Sequence, residues 1–91
     1  MSESKVQKEI IDYLEKGGHY VIKTVRTNKK GTPDILLCTQ HDGKFIAIEV
    51  KAKGKKNTVT SLQKLHIELI NKTGGKAFVA DSLYDVIEEG L

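Results

Sequence analysis

Residues 33–53 read Pro-Asp-Ile-Leu-Leu-Cys-Thr-Gln-His-Asp-Gly-Lys-Phe-Ile-Ala-Ile-Glu-Val-Lys-Ala-Lys. Two strand-like runs, Asp34 to Gln40 and Phe45 to Ala52, flank Asp42-Gly43. That dipeptide accepts the positive φ angles of a tight hairpin turn. If it fills a two-residue turn, Ile35 faces Val50, Leu37 faces Ile48 and Thr39 faces Ile46, and this face is core. On the opposite face Leu36 meets Glu49, Asp34 meets Lys51 and Cys38 meets Ala47. Because side chains alternate between faces, Asp34, Glu49 and Lys51 become neighbours. A cross-strand ion pair between Asp34 and Lys51 is the plain explanation, and at a surface it is worth little. Glu49, however, lies inside Phe-Ile-Ala-Ile-Glu-Val, where an unpaired charge is expensive. A divalent cation between Asp34 and Glu49 relieves that cost, since hard ions take few carboxylates, keep waters and coordinate phosphate oxygens.

Outward from the hairpin, residues 4–16 place Val6, Ile10, Tyr13 and Leu14 at helical spacing, and Gly17-Gly18 end the helix. His19 to Thr27 is rich in β-branched residues and reads as a strand, followed by a loop over residues 28–33. Beyond the hairpin, Lys53 to Val59 is a basic loop. Thr60-Ser61-Leu62-Gln63 has the form of a capping box, and Leu62, Leu65, His66, Leu69 and Ile70 follow on one stripe up to Gly74-Gly75. Ala77 to Ala80 predicts a last strand, and Ser82 caps a short helix carrying Leu83, Val86 and Ile87. The order α-β-β-β-α-β-α predicts one α/β domain over residues 1–91, with helices packed on a small sheet.

Ninety-one residues bury only about 60% of the surface the unfolded chain exposes, so such a domain needs support. The single cysteine, Cys38, excludes an internal disulfide and is read as a small core residue; it also excludes a cysteine-rich zinc site. No apolar run approaches a membrane span and no signal-peptide pattern opens the chain, so an intracellular protein without membrane contact is expected. A metal or a second subunit remain as supports. The net charge of +3 is unevenly spread: nine lysines and arginines face three carboxylates between Lys23 and Lys56, while the rest of the chain holds six lysines against nine carboxylates. A basic middle suits a polyanion, most simply nucleic acid. With five scattered aromatics, base-stacking readers are poorly supported.

The residues singled out above are similar to a known pattern. Pro33-Asp34 followed by Glu49-Val50-Lys51 resembles the PD-(D/E)xK nuclease motif at hairpin separation. The wider set of Glu9 in a first helix, Gly31-Thr32-Pro33-Asp34, Ile48-Glu49-Val50-Lys51 and Gln63 in the following helix resembles the VRR-NUC family of that superfamily, in its stand-alone viral or bacterial form. The resemblance spans Val6 to Val79. It implies a minimal restriction-endonuclease-like core, αβββαβ, here with a short C-terminal helix. It also implies a metal-dependent endodeoxyribonuclease that works as a homodimer on branched DNA such as four-way junctions, in the cytoplasm of a bacterium or phage-infected host.

On that resemblance, Asp34, Glu49 and the backbone carbonyl of Val50 hold Mg²⁺ or Mn²⁺, with Glu9 as a further candidate. Lys51 acts electrostatically on the attacking water or the phosphate. Gln63 has two readings, as the helix cap of Thr60 or as an active-site amide, and both stand. Arg26, Lys29, Lys30, Lys53, Lys55 and Lys56 flank the site and are expected to meet DNA phosphates. The histidines share no ligand spacing, and His66 is expected to be packed or interfacial. The rival reading is a nucleic-acid-binding module that keeps the nuclease fold without cutting.

Overall fold

A computed structural model describes all residues, 1–91. Helix α1 (Glu3–Lys16) starts at Ser2, whose hydroxyl accepts from the Lys5 amide, and it turns Val6, Ile10 and Leu14 inward. Strands β1 (Tyr20–Lys23), β2 (Ile35–Cys38) and β3 (Phe45–Val50) form an antiparallel meander. A 3₁₀ turn (Lys56–Thr58) and helix α2 (Ser61–Lys72) cross over to β4 (Lys76–Ala80), which lies parallel to β3. Helix α3 (Leu83–Glu88), capped by Ser82, closes the chain. The sheet order is β1-β2-β3-β4. The expected element order holds, with the strands shorter at their ends than the sequence suggests. No helix is long and apolar enough to cross a membrane.

The predicted core face is the observed one. Ile35, Leu37, Ile46, Ile48 and Val50 are buried with Val6, Ile10 and Leu14 of α1, Ala80, and Val86 of α3. Helix α2 lies on the other face, over β3 and β4. There Asn71 clamps Ala77 through both its amide atoms: its Oδ1 accepts from the Ala77 N–H and its Nδ2 donates to the Ala77 carbonyl.

Three expectations change. The β2–β3 turn is not two residues long: Thr39 pairs with Lys44 across a four-residue loop, Gln40 to Gly43. The Thr39 hydroxyl bonds the Asp42 carboxylate and accepts from the Lys44 amide, while Gly43 takes a φ of +63°. These side-chain bonds give the backbone a wider turn that strand alternation alone does not reveal. The register shifts by two, with Ile35 opposite Ile48 and Leu37 opposite Ile46. An even shift leaves every side chain on its predicted face but changes its partner. One step beyond Ile35–Ile48, Asp34 therefore stands opposite Glu49, not Lys51.

The second change concerns α2. The sequence packs its helices on the sheet, yet this helix has no fully buried residue. Leu62, Leu65 and Leu69 are 42%, 47% and 50% exposed. Third, Cys38 is exposed, not buried, because α2 leaves the β1–β2 half of its face uncovered. Tyr20, Ile22 and Phe45 share that open half-face with it, by the pairs Tyr20–Cys38–Phe45 and Ile22–Leu36–Ala47.

Candidate active site

Asp34 sits where the loop after β1 enters β2. The preceding proline fixes its own φ and is buried. Thr24 fastens this junction: its hydroxyl donates to the carbonyls of Pro33 and Asp34 at 2.8 and 3.1 Å, and its amide donates to the Asp34 carbonyl at 2.8 Å. The Asp34 carboxylate then reaches across the hairpin and accepts from the Val50 amide at 2.8 Å. Both its backbone and its side chain are thus held.

Glu49 projects from β3, one of the two inner strands, toward α2 and is 3% exposed. Its Oε2 accepts from the Gln63 amide nitrogen at 3.1 Å and lies 3.9 Å from the Lys51 ammonium. Lys51 follows directly, with its amide donating to the Ala80 carbonyl at 2.9 Å and its Nζ donating to Gln63 Oε1 at 3.0 Å. The carboxamide of Gln63 makes the cap and also contacts Lys51 and Glu49. Its Oε1 also accepts from the Thr60 amide at 2.9 Å, and its own amide donates to the Thr60 hydroxyl at 3.2 Å, completing the capping box. One carboxamide caps α2 and bridges Lys51 to Glu49.

The Glu49 carboxyl is pushed up to about 8: burial is the largest cause, the neighbouring Asp34 charge and hydrogen bonding with Asp34 add to it, Lys51 opposes, and Glu3 contributes a little to the rise. Two carboxylates meeting in a half-dry site is the situation that a hard cation resolves. No group of three or more His, Cys, Asp or Glu side chains is placed to hold a metal ion by itself. Two carboxylates and the neighbouring Val50 carbonyl still fit Mg²⁺ or Mn²⁺, because such ions keep water and take phosphate oxygens at their remaining positions.

Glu9 is not brought to this site. It is exposed on the outer side of α1, lining a shallow cleft with Lys5, Lys8 and Asp12. The reason is helical phase: the next residue, Ile10, points fully inward, and one residue turns the helix by about 100°. The carboxylate that Glu49 feels from this helix is Glu3, in its first turn. Glu3 was missed, although extending the Leu14–Ile10–Val6 stripe toward the N-terminus by one more turn leads to it. Thr24 was missed as well, since nothing in a strand-like Ile-Lys-Thr-Val run marks its hydroxyl as a tether.

Around Asp34 the loop from Thr24 to Thr32 encloses an open cavity of about 350 Å³. Arg26, Lys29 and Lys30 line it, are exposed, and form no ion pair within the chain. Lys53 and Lys55 are likewise exposed and unpaired. Lys56 differs: its ammonium lies 3.0 Å from Asp85, which raises its pKa and ties it to α3.

The family model described as the VRR-NUC domain matches residues 2–83. A solved structure titled VRR_NUC domain is 28% identical, with a TM-score of 0.78, covering 94% of this chain and 90% of its own. No curated protein matches.

Proposed function

The chain belongs to the VRR-NUC family, and from that premise we propose that it is a Mg²⁺- or Mn²⁺-dependent endodeoxyribonuclease selective for branched DNA. The family implies a nuclease-type function, with DNA as partner. The observation that carries the finer reading is the Asp34–Glu49 pair, brought together across the hairpin and bridged by Gln63 to Lys51. Asp34, Glu49 and the Val50 carbonyl hold the cation. The bound ion supplies Lewis acidity for phosphodiester hydrolysis. Lys51 places positive charge beside the carboxylates, where the negative charge of the reacting phosphate develops. Gln63 orients the Lys51 ammonium and the Glu49 carboxylate together, so neither has to reorganise during the reaction.

Arg26, Lys29 and Lys30 on one side, and Lys53 and Lys55 on the other, meet the DNA backbone. Lys56 has to share its charge with Asp85. No recognition helix is available to read bases, which favours selection by DNA shape. The exposed leucines of α2 and the open half-face carrying Tyr20, Ile22 and Phe45 support a homodimer, since a chain of this size gains stability by covering them. Two sites related by a dyad suit a symmetric junction inside the cell.

The test is a cleavage panel. Labelled four-way junction, flap, single-stranded and duplex DNA are incubated with Mg²⁺, Mn²⁺ or EDTA, using wild type and Asp34→Ala. Metal-dependent junction cutting that the variant loses is the expected result. Binding without cutting in any metal would instead favour the non-catalytic module.

A further inference from the structure

The basic loop is joined to the rest of the fold by very little. Between Thr24 and Asp34 it makes bonds mainly to itself: the Thr27 hydroxyl donates to the Lys29 carbonyl at 2.7 Å, and the Thr32 hydroxyl donates to the same carbonyl at 2.8 Å. Of the residues between 25 and 33, a single hydrogen bond reaches another element. His66 Nε2, on α2, lies 2.7 Å from the Lys30 carbonyl. The acceptor is a carbonyl, so Nε2 carries the proton and donates. Beside this bond Gly31, at a φ of +83°, sits so close to α2 that an added Cβ would lie 2.8 Å from Leu62 and 3.2 Å from His66. Glycine is required there on both counts.

The loop also presents donors. The backbone amides of Val25, Arg26, Thr27, Lys30 and Gly31 donate to nothing within the chain. These residues, with the side chains of Arg26, Lys29 and Lys30, line a polar cavity whose only carboxylate is Asp34. Unpaired amides interleaved with cations form an anion-binding concavity.

We propose that this cavity receives the DNA phosphate next to the scissile one, and that His66 is a positioning residue that latches the cavity wall to α2. The proposal rests on the nuclease reading and extends it. Helix α2 then sets both halves of the substrate contact. Its first turn orients Lys51 and Glu49 through Gln63, and one turn later His66 holds the phosphate-binding loop at a set distance from them. Leu62 and His66, one turn apart, form the seat on which Gly31 rests.

The test compares wild type, His66→Ala and His66→Gln, the last because its amide nitrogen can replace Nε2 as donor. Trypsin cleaves after arginine and lysine, so cutting after Arg26, Lys29 and Lys30 reads the loop without any DNA. His66→Ala should speed it about five- to tenfold, the opening expected from one lost bond. Binding of a labelled four-way junction in EDTA, where nothing is cut, should weaken about five- to tenfold, with a salt dependence shallower by about two. His66→Gln should return both toward wild type. Unchanged trypsin sensitivity in His66→Ala overturns the latch. A loop that opens while affinity and salt slope stay at wild-type values overturns the phosphate cavity. A wild type that binds no DNA at all refutes the nuclease reading and the phosphate cavity together, while the trypsin result still decides the latch.

Discussion

The two faces of the sheet are built from alternate residues of the same strands and do opposite things. On the α1 face Ile46, Ile48 and Val50 of β3 pack against Val6, Ile10 and Leu14, and no charge is buried. On the α2 face the intervening Ala47 and Glu49, with Lys51 just beyond, meet a helix that buries none of its own residues completely. The first face supplies cohesion, and its side chains are interchangeable as long as volume is kept. The second carries a repelling carboxylate pair, a bridging amide, an exposed leucine stripe and an uncovered pair of strands. A 91-residue chain has few elements, so one strand serves stability and chemistry at once. The period of two makes that division possible.

The largest break in this comparison comes from substitutions that remove function on one face and folding on the other. Asp34→Ala should abolish detectable cutting, and Lys51→Ala should lower it about 100- to 1000-fold, with circular dichroism unchanged. Ile48→Ala, on the dry face, should instead cost about 2–5 kcal/mol in urea unfolding, because it opens a cavity in a fully buried cluster.

A smaller effect separates the faces by pH. Glu49 keeps its proton to about pH 8 in the folded metal-free chain but only to its ordinary 4.5 when unfolded. Between those values the folded state binds the extra proton, so stability should fall as pH rises. Denaturation in EDTA at pH 5, 6.5 and 8 measures this. Glu49→Gln should flatten the curve, and Mn²⁺ should recover the loss at pH 8. A flat wild-type curve would mean that the site is wetter than its exposure indicates.

Weaker again should be the effect of a charge on the exposed stripe. Leu65→Glu should shift sedimentation from dimer to monomer while leaving the monomer folded, because that side chain is 47% exposed. A wild type that is monomeric at all concentrations would remove the homodimer. The smallest change is Thr60→Ala, which deletes the hydroxyl half of the capping box and should cost about 1 kcal/mol. Its cost to cutting should exceed that figure only if the cap also steadies Gln63 against Lys51; Thr60→Ser would then restore both.

Much of this was legible in the residues. Alternation along Asp34–Gln40 and Phe45–Ala52 identified the core face, and Thr60 with Gln63 marked the start of α2. Glu9 stands beside the inward stripe, but its neighbour in sequence is not its neighbour in helical phase, so the fold leaves it exposed on α1. Glu3 lies on the extended stripe but in the first turn, where an acidic residue is already explained by the helix N-terminus. Gln63 looked like a choice between cap and site, because a sequence cannot show that one carboxamide reaches both. His66 could be read only as packed or interfacial, since its partner is a backbone carbonyl 36 residues away.

Which side chains share a face was determined by sequence alone, since period-two alternation is unchanged by a shift of two residues. Which of them meet was decided by tertiary structure. Thr39 and Asp42 widened the turn and moved Asp34 from Lys51 to Glu49, and α2 then brought Gln63 down to join Glu49 to Lys51. Local pattern carries the period of a strand, but the register comes from bonds in the turn, and the site comes from the helix that crosses over it.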